Sequence, residues 1–181
     1  MKRLCVYGGS RTGERPEYAA AARDLARAMV ERGVGLVNGG GGIGLMGVMA
    51  DEILAGGGEV AGVIPTFMEE RELAHRGLTE LHVVDSMHQR KAKMIELSDA
   101  LVAVPGGVGT LDELYEAVTW RGLGLHDCPC GLLNVAGYFD SQVTFLDRAV
   151  ADGFVAREAR DGLVVSATGA ELLDGLGFPA G

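Results

Sequence analysis

Two hydrophobic rhythms alternate along this chain. Short, predominantly apolar runs occur at residues 4–7, 35–37, 60–64, 81–84, 100–104, 131–135 and 163–165. Each is too short for a helix and is bounded by glycine, proline or polar residues, so each predicts a strand. Between them the spacing changes. Tyr18, Ala21, Ala22, Leu25, Ala28 and Met29 recur at helical intervals, predicting a helix that opens near Pro16 and stops at Gly33. Similar patterns predict helices over 45–54, 110–120 and 138–152, and Ser86 with Gln89 fits a capping box at the start of another. Residues 67–78 are mixed, and a loop with a short helix is expected there. Strands alternating with helices predict an α/β fold, a three-layer, Rossmann-like, doubly wound parallel sheet in one domain spanning 1–181. The run at 100–104, continuous and without polar alternation, suits a central strand covered on both faces. Ligand sites are expected beyond the carboxyl ends of those strands.

Composition narrows the chemistry. With 48% hydrophobic residues in 181, a full core is expected. The formal net charge of −9 argues against nucleic acid or an anionic membrane surface as partner. A small anionic ligand would have to be held locally, by a few basic side chains and helix N-termini. The three cysteines, Cys5, Cys128 and Cys130, are too few and too scattered for a disulfide framework and suit a reducing compartment. Neither they nor His75, His82, His88 and His126 show metal-ligand spacing, so no metal is expected. The basic start is followed by an apolar run too short for a signal peptide. No stretch approaches the length needed to span a bilayer. A cytoplasmic location is the expectation.

Glycine is the outlier, with 29 residues clustered at 39–44, 56–58 and 106–109. The sharpest motif is Pro105-Gly106-Gly107-Val108-Gly109-Thr110-Leu111-Asp112-Glu113. A buried strand stops at proline, glycines turn, and a helix begins. First-turn N–H groups without intrahelical partners, together with the positive end of the dipole, make an anion site suited to phosphate. The Thr110 hydroxyl offers a further donor. No Lys-Ser/Thr follows at Walker spacing. Thr110 and Glu113 equally fit a capping box, which alone would explain both residues. The second glycine run, after the strand at 35–37, could hold a phosphate or admit a ribose. Gly8-Gly9-Ser10 follows the first strand in the same way.

A third element is Met87-His88-Gln89-Arg90-Lys91-Ala92-Lys93. Positive charge is disfavoured in the first turns of a helix, so Arg90 and Lys91 there point to an anionic ligand; a solvated basic face is the plainer alternative. Asp112 and Glu113 place carboxylates beside them. Cleavage of an N-glycosidic bond develops positive charge on the ribose and needs an activated water. A carboxylate can stabilise that charge or take the proton, and an arginine can hold phosphate or stabilise the departing base. His88 suits a surface helix position, and Trp120 is expected to pack at the end of its helix.

Together these pieces resemble the LONELY GUY (LOG) family of cytokinin riboside 5′-monophosphate phosphoribohydrolases. The resemblance runs through Val6–Ser10, 39–47 with its Gly-Leu-Met-Gly ending, Met87–Ala92 and Pro105–Glu113. It continues through Thr119-Trp120, 123–126, 131–135 and the Ala149-Val150-x-x-Gly153-Phe154 pattern. It implies a Rossmann-like homodimer that releases a free base and ribose 5-phosphate without a cofactor. Arg90 and Glu113 would be catalytic. Substrate contacts would come from Glu72, Arg90, Lys91, Gly106, Gly107, Val108, Gly109, Thr110, Leu111, Asp112 and Thr119. Neither Glu72 nor Thr119 stands out on its own chemistry. An AMP-type nucleosidase and a non-catalytic nucleotide sensor or carrier are the alternatives. Asp112 stands where the family usually has glutamate, Asn38 where it commonly has tyrosine, and Arg121, a candidate for altered base preference, where it has a small residue. Relatives long carried a lysine decarboxylase label; no recognisable pyridoxal-phosphate lysine motif supports it here.

Overall fold

Seven parallel strands form one sheet in the order β4-β3-β2-β1-β5-β6-β7. The computed structural model describes residues 1–69 and 74–180. The strands are β1 (Arg3–Tyr7), β2 (Gly35–Asn38), β3 (Val60–Pro65), β4 (Glu80–Val84), β5 (Ala100–Ala103), β6 (Cys130–Leu133) and β7 (Leu163–Ser166). Helices connect them: α1 (Pro16–Glu31), α2 (Gly44–Ala55), α3 (Thr66–Glu69), α4 (Met87–Glu96), α5 (Val108–Gly122), α6 (Asp140–Ala151), α7 (Arg157–Asp161) and α8 (Gly169–Gly175).

Strand side chains point alternately to the two faces, and each face has its own core. Leu4 and Val6 of β1 join Leu25 and Met29 of α1, Met49 and Ile53 of α2, and Leu172 and Leu173 of α8. Cys5 and Tyr7, one residue out of phase, join Met94 of α4, Leu114 and Ala117 of α5, and Phe139. The result is helix–sheet–helix, the three layers expected. α1 begins with Pro16, where a missing N–H costs nothing. Beyond its end, Gly33 takes a left-handed φ of 65°, and Val34 N–H reaches back to the Met29 carbonyl at 2.9 Å.

Several boundaries differ from the sequence reading. β6 ends at Leu133, because Val135–Gly137 forms a 3₁₀ turn before α6. α7 and α8 were not anticipated, since neither is long enough to show a helical repeat. α8 is nevertheless capped by Thr168, whose side chain accepts from Glu171 N–H. Ser86 caps α4 as expected, accepting from Gln89 N–H, while Gln89 Oε1 reaches one residue further back, to Asp85 N–H at 2.8 Å.

Candidate functional site

The chain runs outward from β1 through β4, then returns to the other side of β1 as β5. The carboxyl ends of β1 and β5 therefore lie side by side at the point where strand order reverses, the usual place for a ligand in such sheets. Gly9 N–H donates to the Pro105 carbonyl at 3.1 Å, tying the two loops together. Beside them opens a cavity of about 330 Å³. Its walls are Gly8, Gly9 and Ser10 after β1, Met46, Met68, Met87 and Arg90, and Gly107, Val108, Gly109, Thr110, Asp112 and Glu113.

α5 starts at Val108, two residues before the expected Thr110. Gly107 is its N-cap, and no side chain caps it. The first-turn amides keep their unpaired donors beside the cavity. The Thr110–Glu113 capping box is not formed: with the cap at Gly107, both residues fall inside the helix, and both are buried.

Glu113 instead meets Arg90. Arg90 Nη1 lies 3.3 Å from Glu113 Oε1, and the two are 6% and 9% exposed. Arg90 Nε donates to the Val63 carbonyl at 3.1 Å, and Nη2 to the Gly39 carbonyl at 3.1 Å. Three of the five guanidinium N–H groups are thereby committed, which locks the fork and leaves two donors. Burial pushes the Glu113 carboxyl above the ordinary glutamate range; Arg90 opposes the shift and Asp112 adds to it.

The glycine run after β2 has a different purpose from the one expected. None of 39–44 lines the cavity. A Cβ on Gly39 would stand 1.7 Å from Arg90 Nη2, so this glycine makes room for the arginine. Gly44, at φ 66°, packs on the Ser10–Arg11 backbone, where a Cβ would come within 2.3 Å.

Other expected residues are placed apart. Burial alone would lower the Lys91 ammonium, but hydrogen bonds to Glu116 and Asp112 outweigh it and hold it above its usual value. Lys91 does not line the cavity; it braces α4 against α5 through these ion pairs. Leu111 packs in the core beneath. Gly106 lines a neighbouring cavity. Thr119 is exposed, donates to the Tyr115 carbonyl at 2.6 Å, and sits six residues, about 9 Å, along α5 from Glu113. Glu72 lies outside the described residues. Arg121 does not reach the cavity; its Nη1 donates to the Gly162 carbonyl at 3.0 Å. His88 is exposed and Trp120 packs against the core, as expected. Among the described residues no group of His, Cys, Asp or Glu is arranged for a metal, and no helix is long and apolar enough to cross a membrane. Sequence reasoning missed the three methionines of the cavity wall; Met46 and Met87 were signalled only by the Gly-Leu-Met-Gly and Met-His-Gln-Arg patterns, and Met68 by none.

A family model described as "Possible lysine decarboxylase" matches residues 46–176. A probable cytokinin riboside 5′-monophosphate phosphoribohydrolase of Oryza sativa subsp. japonica is 49% identical over 96% of this chain and 70% of its own. A cytokinin riboside 5′-monophosphate phosphoribohydrolase of Arabidopsis thaliana is 47% identical over 96% of this chain and 80% of its own. The chain belongs to the LOG family. The decarboxylase description of the matching family model finds no support in the cavity, because no lysine among the described residues lines it to form a Schiff base. Solved structures show the same fold. A molybdenum cofactor binding protein from Rippkaea orientalis superposes with a TM-score of 0.74 at 18% identity, covering 96% of this chain and 93% of that one. A molybdenum cofactor carrier protein from Chlamydomonas reinhardtii gives 0.70 at 21%, covering 93% and 91%. At these identities the likeness concerns architecture alone.

Proposed function

We propose that this protein hydrolyses the N-glycosidic bond of an N6-substituted adenosine 5′-monophosphate, releasing the free base and ribose 5-phosphate. One observation carries the reading: a buried Arg90–Glu113 pair stands in the same cavity as the uncapped N-terminus of α5. The amides of Val108, Gly109 and Thr110 bind the phosphate, the short glycine side of the helix letting it approach. The ribose then lies along the first turns of α5, toward Glu113. As the bond from C1′ to the base breaks, its electron pair leaves with the base, which takes up a proton from solvent water, balancing the one that Glu113 later returns to solvent. Positive charge grows on the ribose ring and is stabilised by the Glu113 carboxylate, which also accepts a proton from the water attacking C1′. Arg90 fixes the carboxylate and turns its two remaining N–H groups to the ligand. Met46, Met68 and Met87 form a soft apolar wall suited to a planar base carrying an apolar substituent. The phosphoribohydrolase activity for which the LOG relatives are named supports this reading.

A homodimer and a reducing, cytoplasmic setting belong to the same proposal. Leu123 and Leu125, 69% and 65% exposed, are apolar surface that a second copy would cover. The three cysteines are free.

The test is incubation with N6-isopentenyl-adenosine 5′-monophosphate and with AMP, followed by chromatography. Free base and ribose 5-phosphate in equal amounts are expected, with the substituted nucleotide preferred. Tight binding without release, at protein concentrations above the nucleotide's, would make the protein a carrier instead. Light scattering reads the oligomeric state.

A further inference from the structure

Adjoining the cavity of Arg90 and Glu113, and sharing Gly9, Ser10 and Gly107 with it, lies a second cavity of about 420 Å³, lined also by Arg11, Tyr18, Gly106 and Tyr138. Within it the Tyr138 hydroxyl donates to the Gly106 carbonyl at 2.5 Å. Tyr138 comes from the turn between β6 and α6, 32 residues along the chain from Gly106. Its place is strongly determined. The ring meets Tyr18 edge-on at 5.3 Å and Phe139 at 4.9 Å. The turn before it bends through Ala136 at φ 52° and Gly137 at φ 70°. A non-glycine residue in the left-handed region is held there only when its surroundings insist on it. Asn134 does so: its Oδ1 accepts from Phe139 N–H at 2.7 Å and its Nδ2 donates to Asp140 Oδ1 at 2.8 Å.

The consequence is geometric. Gly106 C=O and Gly107 N–H belong to one peptide unit, which is planar and trans, so they point in opposite directions. A tyrosine that captures the carbonyl on one side turns the N–H to the other. Gly106 and Tyr138 line the second cavity alone, whereas Gly107 borders both it and the cavity of Arg90 and Glu113, so the peptide unit stands at the boundary between the two with its carbonyl held on the Tyr138 side. The two carbonyls that precede α5 are both occupied, Pro105 by Gly9 N–H and Gly106 by Tyr138. Neither then presents a negative oxygen to an incoming anion.

We propose that Tyr138 is a positioning residue for phosphate: it sets the Gly106–Gly107 peptide so that the Gly107 amide joins those of the first turn of α5. The inference rests on the reading of 107–110 as a phosphate site. Gly106 itself is squeezed, a Cβ there coming within 2.1 Å of Thr110 Oγ1 and 2.8 Å of Gly9 N, so the loop has little other means of adjustment.

The experiment uses Tyr138→Phe, which keeps the ring and its edge-on contacts, with two substrates: the N6-substituted riboside 5′-monophosphate and the same riboside with a free 5′-hydroxyl. Loss of one hydrogen bond predicts a KM for the monophosphate raised about three- to tenfold, kcat within about twofold, and kcat/KM for the unphosphorylated riboside unchanged. An unchanged KM for the monophosphate, or an equal loss on both substrates, would overturn it, the second outcome marking a merely structural residue. If the wild type releases no base from either, the hydrolase reading fails separately. Titration calorimetry with ribose 5-phosphate then decides: weaker binding in the variant upholds the role, whereas equal binding, or none in the wild type, refutes it.

Discussion

Arg90 and Glu113, 23 residues apart in the chain, face each other at 3.3 Å across the gap between α4 and α5. The contact defines the floor of the cavity at the sheet's switch point. It also fixes what removal of either partner must do.

Glu113→Gln keeps the shape and removes the charge. Its kcat is expected to fall about 10²–10⁴-fold with KM changed only a few-fold, as for the loss of a group acting on proton transfer. Arg90→Ala should lose both binding and turnover and destabilise the fold by about 3–5 kcal/mol, because it strands a buried carboxylate. Initial rates by chromatography and urea melts check both. Near-normal turnover in Glu113→Gln would remove it from the chemistry.

Burial holds the Glu113 carboxyl above its ordinary range, and Asp112 contributes to that shift. If ionised Glu113 is the working form, the acid limb of the kcat/KM profile lies above the usual glutamate value of about 4.3. Asp112→Asn should move that limb to lower pH, by removing a like charge and releasing Lys91 from one partner. A limb that stays in place would assign it to another group.

The same shift has a stability signature. A carboxyl whose folded value is raised gives stability that is complete below the unfolded glutamate range and is lost as pH rises through the folded value. The urea midpoint of the wild type is therefore expected to decline across that window, and Glu113→Gln should lack this decline. Parallel curves for the two proteins would refute the assignment.

Gly107 and Gly109 separate ligand needs from folding needs. A Cβ at either position meets nothing within 4 Å, and neither has a positive φ. Gly109→Ala is expected to leave stability unchanged or to raise it by about 0.5–1 kcal/mol, because alanine suits a helix better. KM for the monophosphate should nonetheless rise at least about tenfold, since the methyl meets the phosphate. A thermal melt and a KM measurement suffice; an unchanged KM would place the phosphate elsewhere.

Gly39→Ala makes the opposite case. Its methyl would displace the Arg90 guanidinium, one of whose N–H groups is bound to the Gly39 carbonyl. Activity is expected to fall about 10²-fold through misplacement of about 1 Å, although residue 39 does not touch the cavity. Full activity would show that Arg90 tolerates another rotamer.

These contrasts show where sequence was readable and where it was not. Strand runs such as 100–104 and the period of α1 were legible because burial on one or both faces imposes them directly. So was the meeting of Arg90 with the 106–113 loop, since both follow strands at one edge. The glycines at 39–44 were misread: composition reveals that a Cβ is forbidden but not what forbids it, and here it is an arginine from α4 and the backbone after β1. The apparent capping box failed for a similar reason, because the cap position moved to Gly107 and freed Glu113 for a tertiary partner. Tyr138 was illegible, as a hydroxyl aimed at a carbonyl 32 residues away leaves no local pattern.

β1 and β5 lie in direct register, Leu4 against Ala100 and Tyr7 against Ala103, although the whole of β2, β3 and β4 intervenes in the chain. The segment before Ala100 supplies Arg90 and the segment after it supplies Glu113, so on the proposed reading neither half contains a working centre. The ability to turn over substrate is thus a readout of successful docking of the late strand beside the earliest one. Two fragments cut between α4 and β5 would each be inert, and would regain chemistry only by reassembling across that central seam.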